Sequence, residues 1–145
     1  MLQSGVHKGK ITFVDVMPSM LAFVPSIAVQ WINKALNEPL ASCETYDYYS
    51  KKVADGAGNI VLVYRKNELL GVFTMMILLR PKANVLLIGP LGGKKFRLWH
   101  KEIFEFCKDF AHDNKCRYVL AHGRKGLSRF LPDAKIDGYI YACEV

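Results

Sequence analysis

The chain has 145 residues and a formal net charge of +7, with 51% hydrophobic and 12% aromatic residues. That is the length of one domain with enough apolar material for a single buried core, which excludes a disordered chain. The longest nearly unbroken apolar run, Leu69 to Leu79, falls short of the ~20 residues a bilayer crossing needs, and Met1 to Lys8 lack the apolar centre of a secretion signal. A soluble cytoplasmic domain with no membrane partner is expected.

Ile11 to Val16 reads as a first strand of short apolar alternation. Pro18-Ser19 then opens a helical pattern. Met20, Val24, Ile27, Trp31 and Ala35 recur at steps of three and four, with Phe23, Ala28 and Ile32 widening the stripe. Pro25 should kink or split that helix, because proline removes a backbone donor and clashes with the preceding turn. Asn37-Glu38-Pro39 ends it. Thr45 to Val53 reads as a small second helix, closed by the turn Asp55-Gly56-Ala57-Gly58.

The β-branched run Ile60 to Tyr64 is a strand, Arg65 to Glu68 a hairpin connection, and Leu69 to Leu79 a longer returning strand. Gly71 inside it signals a bulge or a close backbone approach. Arg80 to Asn84 turns the chain into the strand Val85 to Ile88, and these short connections make the three strands antiparallel. Gly89 to Lys95 breaks the strand and leads into the clearest helix, with Phe96, Trp99, Ile103, Phe106 and Phe110 on one apolar stripe beside Cys107 and Ala111. Arg117 to Ala121 is expected to be a buried strand, parallel to its predecessor by a right-handed crossover. Gly126 to Leu131 reads as a short helix stopped by Pro132, and Gly138 to Cys143 as a last strand.

The order of elements defines an α/β (α+β) fold, a mixed and mostly antiparallel sheet flanked by helices, as one domain over residues 1–145. Cys43, Cys107, Cys116 and Cys143 form no C-x-x-C pair and read as free, partly buried thiols. The histidines stand nowhere at metal-ligand spacing, so no metal is expected.

Charge is uneven along the chain. Residues 94–129 carry ten Lys or Arg against four Asp or Glu, while residues 130–145 carry one against three. The basic stretch serves either as a solubilising face or as a site for an anion, a phosphorylated cofactor ahead of nucleic acid. Two candidate sites fall in or beside it. The strand, glycine-rich loop and helix from Val85 to Phe110 offers glycines at 89, 92 and 93, the charges of Lys94, Lys95 and Arg97, and the unpaired N–H groups of a helix start. The alternative is a loop that needs glycine only to turn. The second candidate, His122-Gly123-Arg124-Lys125-Gly126, follows a strand end. There His122 can act as acid or base near neutrality and Arg124 can hold an anion. Tyr46, Tyr48 and Tyr49 either line a pocket or pack between helix and sheet.

This order of elements resembles the GNAT superfamily of N-acetyltransferases across almost the whole chain, most closely from Ile60 to Phe130. Ile88-Gly89-Pro90 looks like the family's V-x-P strand end, Lys94 to Arg97 stands in the place of its pyrophosphate-binding loop, and Arg117 to Ala121 looks like its fifth strand. The resemblance implies acetyl-CoA as cofactor, with its pantetheine arm along Leu87, Ile88 and Gly89. The pyrophosphate would rest on the amides of Gly93, Lys94, Lys95, Phe96 and Arg97, and Arg124 is a further cation near the cofactor. It also implies that the strands holding Val85 to Ile88 and Tyr118 to Ala121 are parallel neighbours that splay near Gly89. The [RQ]-x-x-G-x-[GA] signature is not present, and the family's tyrosine general acid appears as Phe130, which leaves His122 as the substitute. The expected function is acyl-CoA-dependent transfer to an unknown amine, or a degenerate relative keeping the fold. The alternative is a non-catalytic assembly protein of a tailed phage particle, with protein partners in the host cytoplasm or virion.

Overall fold

The computed structural model of the chain describes residues 2–3, 11–36 and 45–121. Six strands form one sheet in sequence order: β1 (Leu2–Gln3), β2 (Ile11–Asp15), β3 (Asn59–Arg65), β4 (Glu68–Leu78), β5 (Asn84–Gly93) and β6 (Cys116–Ala121). The first five pair antiparallel, and β6 runs parallel to β5. The helices are α1 (Ser26–Leu36), α2 (Tyr46–Ala54) and α3 (His100–Asp113). The mixed sheet and its flanking helices match the fold class read from the sequence. The short helix after Gly126 and the strand after Gly138 lie outside the described residues, as do Cys43 and Cys143. No helix among the described residues is long and apolar enough to cross a membrane.

Strand alternation sends the side chains to two cores. Phe13, Val61, Val63, Phe73, Met75 and Leu86 pack under α3 with Ile103, Phe106, Cys107 and Ala111. Three rings form the centre of that layer, Phe13 lying 4.7 Å from Phe106 and Phe73 lying 6.0 Å from it between centroids. On the opposite face Val14, Ile60, Leu62 and Val72 meet Ala28, Ile32 and Leu36 of α1 and Tyr49 and Val53 of α2. The two helices are joined by a polar contact, the Tyr46 backbone N–H donating to Asn33 Oδ1 at 2.8 Å.

One detail sharpens the sequence reading, the expected split at Pro25, and two depart from it. Pro25 splits the first helical pattern completely: residues Pro18–Phe23 form a 3-10 helix, and α1 starts afresh at Ser26. The break resets the helical phase, so Ala28, Ile32 and Leu36 are buried while Ile27 is 42% exposed and Phe23 is 81% exposed. The strand expected to end before Gly89 runs on to Gly93. The stretch beyond it enters a 3-10 turn at Phe96–Leu98 before α3, so the first α-helical turn begins at His100. Finally, β6 is only half-buried, with Tyr118 53% exposed.

Gly71 shows both features read from it. Val63 pairs with Gly71 and Tyr64 with Leu69, so β4 carries an extra residue there. A Cβ at position 71 would meet Trp99 Cη2 at 2.7 Å and the Gly92 carbonyl at 3.0 Å. Gly71→Ala is therefore expected to destabilise the fold by ~1–3 kcal/mol through overpacking. In a Trp99→Phe background the same change should cost less, because the smaller ring vacates that space. Urea unfolding of the four proteins measures the coupling, and strict additivity would show that the indole is not what crowds the glycine.

Cys107 is buried against Met75, Sγ to Sδ 3.9 Å, and burial pushes its thiol up to about 12. Its folded-state value lies above the unfolded one. Its effect on stability is thus neutral below the ordinary thiol range, and stability falls as pH rises from there toward 12. Alkylation followed by peptide mapping should find Cys107 unmodified at neutral pH in the native protein and modified on unfolding.

Candidate functional site

β5 passes through Gly89 and Pro90 without ending because the two residues form a bulge. Met75 pairs with Ile88 and Phe73 with Leu91, so Thr74 alone faces Gly89 and Pro90. A bulge accommodates proline where a regular ladder position would lose a hydrogen bond. On its other edge β5 pairs with β6 as far as Ile88 with Ala121. From Gly89 to Gly93 that edge has no strand partner among the described residues.

The bulge has a closely fitted floor. Thr74 is completely buried on the α1–α2 side of the sheet, and its hydroxyl fills the space that a side chain at residue 89 would need, since a Cβ there would collide with Thr74 Oγ1. Tyr49 of α2 lies over the same point, its Cε1 3.5 Å from that Cβ position. Thr74 Oγ1 has no hydrogen-bond partner among the described residues. Leu87, Ile88 and Gly89, expected from the sequence along the cofactor arm, lie together on one strand, with Ile88 buried and Leu87 and Gly89 half-buried.

The basic loop follows directly. The Lys94 N–H donates to the Leu70 carbonyl at 2.8 Å, Lys95 takes a left-handed conformation, and the Leu98 and Trp99 N–H groups donate to the carbonyls of Lys95 and Phe96. Trp99 is fully buried and donates its indole N–H to the Lys94 carbonyl at 2.9 Å. Gly93, Lys94, Lys95 and Arg97 are exposed and Phe96 is half-buried. The ammonium groups of Lys94 and Lys95 reach sideways to Glu68 Oε2, at 3.1 and 3.5 Å, and Arg65 approaches Glu68 Oε1 at 3.4 Å. The Lys94 hydrogen bond, followed by the charges of Lys95, Lys94 and Arg65, outweighs desolvation and holds the Glu68 carboxyl below the usual range.

His122, Arg124 and Phe130 lie outside the described residues. Ala121, which immediately precedes His122 in sequence, is the last residue paired with Ile88.

No family model matches the chain, and no curated protein matches it. Solved structures do. An aminoglycoside acetyltransferase from an uncultured soil metagenomic sample superposes with a TM-score of 0.70 at 11% identity, covering 93% of this chain and 98% of that one. A ribosomal-protein-alanine N-acetyltransferase from Brucella melitensis biovar Abortus 2308 gives 0.66 at 14% identity, covering 93% and 99%. An integron cassette protein from the mobile metagenome of V. cholerae gives 0.64 at 11%, covering 95% and 94%.

The chain has the GNAT fold. Within that fold, its departures become specific to this sequence. Sequence reasoning passed over Thr74, although a lone hydroxyl inside the apolar run Leu69 to Leu79 was visible there. Glu68 was read only as part of a hairpin connection, and its pairing with a loop far along the chain has no periodic signature.

Because the folded-state value of Glu68 is lowered, the stabilisation it brings is present above the ordinary carboxylate range and lost as pH falls through the folded value. Glu68→Gln should therefore melt below the wild type at neutral pH and low salt. The difference should close on acidification, and narrow as salt is raised toward ~1 M, where the screening length of ~3 Å comes down to the separation of these pairs. Thermal melts across pH check both limbs, and a gap that persists in acid would place the effect outside this ion cluster.

Proposed function

We propose that the protein is an acyl-CoA-dependent N-acyltransferase, with acetyl-CoA as donor and an amine as acceptor. The observation that carries the reading is the β5 bulge beside an edge of the strand left open past Ile88. A bulge frees a backbone group from the ladder and can aim it at a ligand, and an unpartnered strand edge offers amide and carbonyl groups to a chain with amides of its own. Both suit the pantetheine arm, so the residues present fit the donor. Leu87, Ile88 and Gly89 are assigned to the arm. Gly93 to Arg97, with Arg124, are assigned to the phosphates.

Pro90 has no N–H, which leaves the Gly89 amide as the one N–H that the two bulge residues possess. It is the group we assign to polarising the reacting carbonyl, as an oxyanion donor does. The donor supplies a thioester, an activated acyl group on a thiol leaving group. His122 is assigned the proton transfer, because Phe130 has no proton to give.

Calorimetric titration with acetyl-CoA tests the reading directly. Lys94→Glu combined with Lys95→Glu should weaken binding about tenfold or more, equivalent to ~1.4 kcal/mol. His122→Ala should lower turnover by ~10²–10⁴ with little change in affinity, and Phe130→Tyr should raise it. Thiol release is to be followed against a mixed panel of amines. No binding at millimolar acetyl-CoA sinks the donor assignment, while equal background rates in wild type and both variants sink the enzymatic one.

A further inference from the structure

We propose that Thr74 is a positioning residue of this site: its buried hydroxyl holds the Ile88 carbonyl when the Gly89 N–H turns toward a ligand on the open edge of β5. The proposal rests on the acyltransferase reading of β5 given above.

Two polar side chains are buried among the described residues, Asp15 and Thr74. Asp15 is satisfied, both of its carboxylate oxygens lying 3.1 Å from Asn59 Nδ2. Thr74 is not: its Oγ1, like the Tyr46 hydroxyl, is buried with no hydrogen-bond partner among the described residues. It sits in β4 between Val72 and Met76, both packed in the apolar layer beneath α1 and α2. Valine has the same shape and carries no desolvation penalty at such a position, so a hydroxyl there is costly unless another state of the protein uses it.

The geometry shows which group can use it. Thr74 Oγ1 occupies the notch left by the missing side chain of Gly89, directly against the bulge backbone. A peptide unit carries its N–H and C=O on opposite sides. The N–H of Gly89 belongs to the same peptide as the Ile88 carbonyl, and Pro90 has no N–H to compete. Turning that N–H out to the β6-side edge turns the Ile88 carbonyl in toward β4, where the Thr74 O–H is the donor at hand. The hydroxyl then fixes the peptide in the orientation that presents its N–H, without itself touching the reacting atoms. A glycine at 89 tolerates such a rotation because it has no Cβ, and Tyr49 lies over the notch from the α2 side.

Thr74→Val and Thr74→Ser test this in the full-length protein with acetyl-CoA as the probe. Three readouts are taken: melting temperature without ligand, hydrogen exchange of the Gly89 amide with and without acetyl-CoA, and the separate values of kcat and KM. Thr74→Val should melt higher than the wild type, lose the ligand-induced protection at Gly89, and lose about tenfold in kcat with KM little changed. Thr74→Ser should restore the protection and most of kcat. The proposal is overturned if Thr74→Val keeps wild-type protection and kcat. It is also overturned if Thr74→Val melts lower, since the hydroxyl would then already be satisfied in the free fold. Failure of the wild type to bind acetyl-CoA is a different outcome, and it removes the acyltransferase reading itself.

Discussion

The site end of the molecule depends on where the indole of Trp99 lies. It is wholly buried, its six-membered ring against Gly71 and its N–H on the Lys94 carbonyl. One side chain therefore fixes three things together: the end of β5, the path of the basic loop, and the height at which α3 begins over the sheet. The Lys94 N–H closes the same junction from the other side by donating to Leu70. A large apolar anchor directly beneath an exposed charged loop lets the loop keep one backbone path without placing its charges in the core.

The charge of the basic stretch is contiguous in sequence, but over its described part, Lys94 to Ala121, it is divided in space. Lys94 and Lys95 are shared with Glu68 and Arg65 at the hairpin end of the sheet. Lys108 lies over the Phe104 ring on α3, and Arg117 over Tyr118 at the start of β6, at the opposite end of the sheet. Within the described residues, then, this charge does not form a single field. A charge count along the chain measures total attraction to anions, and the fold decides how much of it any one ligand meets.

Regular elements were legible wherever a period governed burial. Alternation located β2, β-branched and apolar runs between turns located β3 to β5, the apolar stripe located α3, and the short connections fixed the antiparallel order. Legibility failed at the irregular points, which are also the ones the proposed site is built on. Gly89-Pro90 has the signature of a break, and only the pairing with β4 shows that the strand continues past it. Pro25 announced the split in the first helix, but the phase of the new helix depended on where it restarted, which a continuous stripe cannot reveal. The apolar run of β6 suggested burial on both sides, yet Tyr118 is largely exposed, because apolar content does not say how many neighbours a strand has.

The register of the sheet also sorts its contacts by range. β3, β4 and β5 are joined by short turns, so their contacts close small loops, while β6 reaches β5 across α3. Pairing β2 with β3 is different: Asp15 meets Val61, and both helices of one face lie in the chain between them. Closing that long loop carries the larger entropic cost, and rates fall as contacts become less local. The meander and its crossover hold the more local contacts, and β2 with α1 and α2 supplies the second core through the longer closure. The Thr74 hydroxyl lies on the face that this longer closure covers, so the cost of its desolvation falls on the less local half of the fold.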